Sequence, residues 1–194
     1  MLKHIITKEC NRKCSYCISK SITQEQLNSI TRIDQAYNKC RQDNRSIMLT
    51  GGEPTMAYGF KSIVELAKSW FPDVYVVTQN PKALTENFYR KFKAITFSMH
   101  DNKAKKLVVL NGTTVYASIM SHLYTPLLPG LLASNGFSGL TVNENQRDIS
   151  HAFDNSNMPF IPNFSIRVNR IGKCLDETFI MPDLSIVHGY KEYL

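Results

Sequence analysis

The stretch "LKHIITKECNRKCSYC", residues 2–17, joins a short apolar run to three closely spaced cysteines. The run "LKHIIT" (2–7) contains β-branched residues, and this composition predicts a strand that leads directly into the cysteines. Cys10, Cys14 and Cys17 follow on a polar stretch that is unsuited to burial. Since structural metal sites usually take four protein ligands, three thiols indicate a site with one open coordination position.

Strands and helices alternate after the cysteines. Apolar runs predict strands at "SIMLT" (46–50), "VYVVT" (74–78) and "AITFS" (94–98). Between them, apolar residues recur at helical spacing; they are Leu27, Ile30, Ile33, Tyr37 and Cys40 in a helix capped by Ser21 or Thr23, then Phe60, Ile63, Val64, Ala67 and Trp70, then Leu84, Phe88 and Phe92. This alternation predicts parallel strands joined by crossover helices.

The pattern weakens beyond residue 100. An Asn-Gly pair in "KLVVLNGTTVYASIM" (106–120) predicts an inserted hairpin. A short helix at "PGLLASNGF" (129–137) and a strand at "GLTVN" (139–143) resume the alternation. The tail predicts short antiparallel strands at the edge of the main sheet, with a turn at Pro182-Asp183; they are "FSIRVNRIG", "ETFIM" and "LSIVHGY".

Length and composition favour one globular domain. The chain has 194 residues, of which 43% are hydrophobic, so we expect a single domain over 1–194, with a core at 1–150 and a strand extension at about 160–194. No apolar run could span a bilayer, and the first residues lack the apolar core of a signal peptide. We therefore expect a soluble, cytoplasmic protein with no membrane partner.

Charge and cysteine usage narrow the class of ligand. The formal net charge is +7, which favours anionic partners or, equally well, a merely solvated basic surface. Five cysteines, three of them clustered and Cys40 and Cys174 far away, do not form a disulfide framework. Cys40 lies on an apolar helical stripe and is expected to be buried. Three thiolates on a loop can hold three corners of a cubic iron–sulfur cluster.

Two motifs carry a family resemblance. Cys10, Cys14, Tyr16 and Cys17 match the pattern C-x3-C-x-aromatic-C, and Gly-Gly-Glu-Pro follows the second predicted strand at 51–54. Over roughly its first half, the chain therefore resembles the radical S-adenosylmethionine (SAM) superfamily. The resemblance implies an α/β fold, a partial (β/α)6-type barrel that is abbreviated or modified in its second half, with short C-terminal antiparallel strands.

The resemblance also implies a set of ligand-binding residues. Cys10, Cys14 and Cys17 would bind a [4Fe–4S] cluster whose fourth iron is chelated by SAM. Tyr16 would lie beside the adenine, and the backbone of 51–53 would meet the methionine amino group. Pro54 would fit the first turn of the following helix. The cofactor-binding residues implied in this way are Tyr16, Gly51, Gly52, Glu53, Pro54, Asn80 and Ser98.

Some of these positions depart from the family pattern. Asn80 stands in "TQN" where the family often has Thr-Asn-Gly, and Ser98 ends the fourth predicted strand as a candidate ribose ligand. Further polar residues follow predicted strands, and each is expected to be either a surface residue or a ligand contact; they are His100, Glu144 and Asn145. In the tail, Cys174 and His188 flank the Pro182-Asp183 turn, and they are too few for an auxiliary cluster.

The implied reaction is reductive cleavage of SAM to a 5′-deoxyadenosyl radical that abstracts a hydrogen from substrate. An external electron donor such as flavodoxin or ferredoxin is implied, and the class is oxidoreductase or lyase. The basic charge favours a nucleotide-like or anionic substrate. The alternatives are a glycyl-radical activase or a peptide-modifying radical SAM enzyme, and a nucleic-acid substrate stays open. A different class is a zinc-binding nucleic-acid module that recruits Cys40 or His4 as fourth ligand.

Overall fold

One sheet connects both ends of the chain. The structure is a computed structural model, and it describes residues 1–14, 17, 22, 29–80, 83–84, 86–101, 113–143, 158–169 and 178–188. Within these ranges the strands are β1 (Leu2–Ile5), β2 (Ser46–Thr50), β3 (Asp73–Thr78), β4 (Ala94–Ser98), β5 (Thr114–Met120), β6 (Gly139–Asn143), β7 (Ser165–Asn169), β8 (Thr178–Ile180) and β9 (Ile186–His188). The helices are α1 (Ile30–Cys40), α2 (Phe60–Trp70), α3 (Glu86–Tyr89) and α4 (Leu128–Ser134).

The sheet is mostly parallel and stays open across the described residues. Its order is β7-β6-β5-β4-β3-β2-β1-β8-β9, so β7 and β9 form the two edges. All neighbouring pairs from β7 to β8 are parallel, and only β8 and β9 are antiparallel. This arrangement confirms the expected α/β fold with a partial barrel and short antiparallel strands at its C-terminal end.

The main core lies between one face of the sheet and the helices. Residues alternate between buried and partly exposed along β2 to β6, as a strand with one face against helices requires. The buried hydrophobic side chains on the core face of these strands are Ile47, Leu49, Val74, Val76, Ile95, Phe97, Val115, Ala117, Ile119, Leu140 and Val142. Burial of each large aliphatic side chain contributes about 1.5–3 kcal/mol. The opposite face of β2 to β6 is therefore left to less buried, largely polar side chains.

The first helix begins later than the sequence predicts. Ser29 is the N-cap of α1, and its hydroxyl accepts a hydrogen bond from the Arg32 backbone N at 3.4 Å. The predicted cap at Ser21 or Thr23 is therefore wrong for α1, and both residues lie outside the described part of the chain. The expected apolar stripe is present from residue 33 onward, with Ile33, Tyr37 and Cys40 buried, whereas Ile30 is exposed.

Three other local predictions are corrected. Strand β5 has β4 on one side and β6 on the other, both parallel, so the predicted hairpin around the Asn-Gly pair is wrong for β5. In the tail, β7 is parallel to β6, whereas β8 and β9 form the expected antiparallel pair around Pro182-Asp183. Pro54 begins a separate 3-10 turn over Pro54–Met56, and α2 starts only at Phe60.

No helix among the described residues is long and apolar enough to cross a membrane.

Candidate cofactor site at the carboxyl edge of the sheet

The segment after β1 runs alongside the loop after β2. The Ile6 backbone N donates to the Thr50 carbonyl at 2.9 Å. In the next two hydrogen bonds the donors come from the other segment: backbone N–H groups of the Gly-Gly-Glu loop donate to carbonyls of the segment after β1. Gly52 N donates to Thr7 O at 2.8 Å, and Glu53 N donates to the carbonyl of residue 9 at 2.7 Å. The two sequence motifs are thereby fixed side by side, although about 40 residues separate them.

Glycine is required at 51 and 52 because two backbones meet there. A Cβ on Gly51 would lie 2.4 Å from the Thr7 carbonyl oxygen, and Gly51 has φ +138°, a conformation that other residues rarely adopt. A Cβ on Gly52 would lie 2.2 Å from the Glu9 carbonyl oxygen. The sequence interpretation expected close approach of a ligand, whereas the close approach observed is that of the segment carrying the cysteines.

The Glu53 side chain joins the loop after β2 to the end of β3. Glu53 is 1% exposed. Its Oε1 accepts hydrogen bonds from Thr78 Oγ1 at 2.6 Å and from Thr55 Oγ1 at 2.7 Å. Its Oε2 accepts from the Gln79 backbone N at 2.8 Å. The carboxyl group is thus used within the protein. The backbone carbonyls of Glu53 and Pro54 are used there too, since they accept from Met56 N at 2.9 Å and Ala57 N at 3.0 Å.

Two N–H groups point at the sulfur of Cys10. Gln79 Nε2 lies 3.1 Å from Cys10 Sγ, and the Arg12 backbone N donates to the same sulfur at 3.4 Å. N–H groups directed at sulfur stabilise negative charge on it, which is the state that a metal-bound cysteine takes. The surroundings of Cys10 therefore suit a thiolate ligand.

The second cysteine contacts a histidine from the end of β4. His100 Nδ1 lies 3.3 Å from Cys14 Sγ. Burial, and then the charge of Arg12, lower the pKa of His100, while Asp101 and Glu53 act in the opposite direction. The Cys17 backbone N donates to the Cys14 carbonyl at 3.3 Å. His100, expected either as a surface residue or as a ligand contact, thus contacts a cysteine of the motif.

The donor chemistry fits an iron–sulfur cluster. Cys10, Cys14 and Cys17 are all free thiols and partly exposed at one end of the sheet. Thiolates are the ligands that such clusters take, and the N–H groups around Cys10 are of the kind that surround cluster sulfurs. Among the described residues, no three His, Cys, Asp or Glu side chains converge into a ready metal-binding group. The loop thus supplies the ligand types without a preformed coordination shell.

The remaining implied residues are distributed as follows. Asn80 follows β3 and its backbone N donates to Thr78 Oγ1 at 3.0 Å; Ser98 ends β4 with its side chain partly exposed. Pro54 is buried in the 3-10 turn. Four of the residues considered for ligand or metal binding lie outside the described residues, and they are Tyr16, Glu144, Asn145 and Cys174.

Sequence reasoning did not identify two residues that organise this edge. Thr78 is 1% exposed, and its hydroxyl bonds Glu53, while Gln79 contacts Cys10. A signal for Thr78 was present, because a threonine at a core-facing strand position needs a buried hydrogen-bond partner. For Gln79 the sequence holds no comparable signal, because "TQN" differs from the family's Thr-Asn-Gly at this position.

The residues that a zinc site would need are in the core. His4 is 1% exposed, and its Nδ1 shares a hydrogen bond of 2.7 Å with the Tyr37 hydroxyl. Burial lowers the pKa of His4 to about 3. Cys40 is 5% exposed at the end of α1. Both side chains are packed in the core, and His4 is already bonded to Tyr37, which removes support from the zinc-binding alternative.

The family comparison agrees with the two motifs. A model described as the radical SAM superfamily matches residues 4–115, more than half of the chain. The chain belongs to the radical SAM superfamily, a superfamily of enzymes, as the resemblance predicted. That family implies a [4Fe–4S] cluster and SAM as its cofactors.

Similar curated proteins share only part of their length with this chain. GTP 3′,8-cyclase from Pasteurella multocida (strain Pm70) is 30% identical over 105 residues, which cover 48% of this chain and 28% of that enzyme. GTP 3′,8-cyclase from Haemophilus influenzae (strain PittEE) is 37% identical over 71 residues, covering 33% of this chain and 20% of that enzyme. The matches thus span less than a third of these relatives.

A solved structure shares the fold. Streptococcus suis SuiB bound to S-adenosylmethionine has a TM-score of 0.70 and 12% identity over 96% of this chain and 57% of that one. SuiB bound to the precursor peptide SuiA gives a TM-score of 0.69 at the same identity, over 96% of this chain and 58% of that one. At this identity the likeness concerns the fold alone.

Proposed function

We propose that this chain binds a [4Fe–4S] cluster through Cys10, Cys14 and Cys17 and binds SAM beside it at the loop 51–54. The observation that carries the proposal is the hydrogen-bonded junction of the two motifs, in which Gly52 N and Glu53 N donate to the segment that precedes the cysteines. When bound, the cluster supplies an electron for reductive cleavage of SAM, and the resulting 5′-deoxyadenosyl radical abstracts hydrogen from substrate.

The chain's own residues would orient SAM. The N–H groups of Gly52 and Glu53 and the carbonyls of Glu53 and Pro54 are used within the protein. The carbonyls of Gly51 and Gly52 are therefore the groups of this loop that would accept hydrogen bonds from the methionine ammonium. Asn80 follows β3 and Ser98 ends the neighbouring β4, where their polar side chains suit ribose hydroxyls. An external reductant such as flavodoxin or ferredoxin would supply the electron.

A nucleotide-like or otherwise anionic substrate is favoured. Ser98, Ser118, Thr141 and Arg167 occupy matching register positions on four adjacent strands, so they share one row. The row lies on the face away from the buried core, because its sequence neighbours on β4, β5 and β6 are buried. An arginine beside hydroxyl groups suits a phosphate or carboxylate. The +7 charge and the similarity to enzymes named GTP 3′,8-cyclase support the same class.

We also infer that residues 1–194 form a single domain. The support is that β8, from the tail, pairs with β1, from the beginning of the chain, within the same sheet. Strands from both ends of the sequence thus complete one another's hydrogen bonding.

Cluster assembly tests the proposed ligands. Anaerobically reconstituted wild-type protein is expected to be brown, with about four irons and four sulfides per chain. Cys14→Ala should lose most of this iron, because it removes one of three thiolates. The matched control is Cys40→Ala, which removes a buried thiol outside the motif. A colourless wild-type protein that carries one zinc, or full iron loading of Cys14→Ala, would contradict the assignment.

The substrate class is tested by product formation. Reduced, reconstituted protein is incubated with SAM and separately with GTP, other nucleotides, or peptides, and 5′-deoxyadenosine is measured. An anionic nucleotide should raise its formation above the background without substrate, and Arg167→Gln should reduce that increase more than it reduces the background. Stimulation by a peptide alone would favour the peptide-modifying alternative instead.

A further inference from the structure

Gln79 places its side-chain amide between the cysteine loop and β3. Its Nε2 donates to Cys10 Sγ at 3.1 Å and to Asn11 Oδ1 at 2.8 Å. Both contacts use the N–H groups of the amide, and both acceptors are consecutive residues of the motif. A single side chain thus connects the third strand with the first cysteine and its neighbour.

The orientation of this amide is fixed by its two acceptors. Gln79 Oε1 is buried and accepts no hydrogen bond from the described residues. An unpaired buried acceptor costs about 1–3 kcal/mol. When Cys10 is a thiolate, the reversed amide would place its oxygen against a negatively charged sulfur, which repels it. The N–H groups therefore face the sulfur even though the carbonyl oxygen is left without a partner.

The backbone of Gln79 is held equally firmly. Its N–H donates to Glu53 Oε2 at 2.8 Å, and the same carboxyl group is bonded by Thr78 Oγ1 at 2.6 Å. Glu53 belongs to the loop that is hydrogen-bonded to the β1 segment. Buried hydrogen bonds between the ends of β2 and β3 thus hold the Gln79 backbone in place. The side-chain amide therefore reaches Cys10 from a fixed position.

We propose that Gln79 is a positioning residue for the cluster: its amide N–H donates to the Cys10 sulfur, orients that ligand and raises the reduction potential of the cluster. This inference rests on the proposed function, because it assumes that Cys10 is a cluster ligand. Reduction adds one negative charge to the cluster, and part of that charge resides on the cysteine sulfurs. An N–H group directed at one of them stabilises the reduced state more than the oxidised state.

The test compares variants that differ in the donor while keeping side-chain length. Gln79→Met removes both N–H groups, and Gln79→Glu replaces them with an oxygen of similar shape. Gln35→Met is the matched control, because Gln35 is an exposed residue of α1. Each protein is reconstituted, its iron content is measured, and its midpoint potential is determined by anaerobic dithionite titration followed by EPR.

Gln79→Met and Gln79→Glu are expected to shift the midpoint potential to more negative values, with the larger shift for Gln79→Glu, while Gln35→Met matches wild type. Failure of both Gln79 variants to hold iron, with circular dichroism unchanged, would also support a positioning role. Clusters in both variants with the wild-type potential would overturn the inference, as would loss of the fold in both. If wild type itself assembles no cluster, the proposed function is what fails.

Discussion

At the scale of single residues, Glu53 is the buried carboxyl group that connects the two loops of the candidate site. It is buried, and three of its hydrogen-bond donors come from its own loop and from the end of β3, namely Thr55, Thr78 and Gln79. The Gly-Gly-Glu-Pro motif could be recognised from the sequence, but the role of the carboxyl group could not. Two of its partners, Thr78 and Gln79, are 25 and 26 residues away in the chain, so only the folded structure shows that they meet Glu53.

Glu53→Gln should destabilise the metal-free protein. One carboxyl oxygen becomes an NH2 group that faces an N–H or O–H donor, so a buried hydrogen bond is lost and a donor is left unpaired. The expected loss is about 1–3 kcal/mol of unfolding free energy, measured by urea denaturation. Glu65→Gln is the control, since the Glu65–Lys91 ion pair is largely exposed and contributes about 0–1 kcal/mol. Equal, small effects of both substitutions would contradict this interpretation of Glu53.

At the scale of elements, the strands were predicted better than the helix boundaries and turns. Strands β2, β4 and β6 begin and end where the apolar runs do, because a core-facing parallel strand is an apolar segment bounded by polar residues. The predicted start of α1 was wrong, and so was the antiparallel hairpin partner expected for β5; the Asn-Gly pair itself lies outside the described residues. Capping residues and Asn-Gly pairs are local signals, whereas the neighbours of β5 are decided by the whole sheet.

Alanine substitution is expected to have opposite effects at two glycines, one at the junction of the two loops and one in a helix with open space around it. Gly52→Ala places a Cβ 2.2 Å from a backbone oxygen, so the cysteine segment must move, at a cost of about 1–3 kcal/mol or more. Gly130→Ala, in α4 with open space around the site, should stabilise the protein by about 0.5–1 kcal/mol. Thermal unfolding of the metal-free variants measures both. A Gly52→Ala protein as stable as wild type would show that the loops need not pack so closely.

At the scale of the whole molecule, the buried His4 predicts a loss of stability in acid. Its pKa is about 3 in the folded protein and near 6.5 when unfolded, so only the unfolded state gains this proton as the pH falls between these values. The contribution of neutral His4 to the free energy of unfolding is fully present above pH 6.5. It is lost progressively as the pH falls to about 3, by up to about 1.4 kcal/mol per pH unit.

Urea denaturation across this pH range measures the slope. His4→Leu should flatten it relative to wild type, whereas Tyr37→Phe should keep it, because burial and not the Tyr37 hydrogen bond lowers the pKa of His4. If His4→Leu and wild type lose stability in parallel between pH 6.5 and pH 3, His4 does not account for the acid sensitivity.

The fold as a whole followed from the sequence because the alternation of strands and helices and two short motifs agreed. The contacts of Gln79 and His100 with the cysteines could not be predicted from the sequence. They depend on side chains that follow β3 and β4 reaching a loop that follows β1. The polar row across β4 to β7 likewise emerges only from the strand register.

The most direct test of the account is whether SAM binds to the open iron. The reconstituted, reduced protein is measured by EPR in the absence and in the presence of SAM. The account predicts a four-iron signal whose g values change when SAM is added, and loss of that signal in Cys14→Ala. A four-iron signal that SAM leaves unchanged would contradict it.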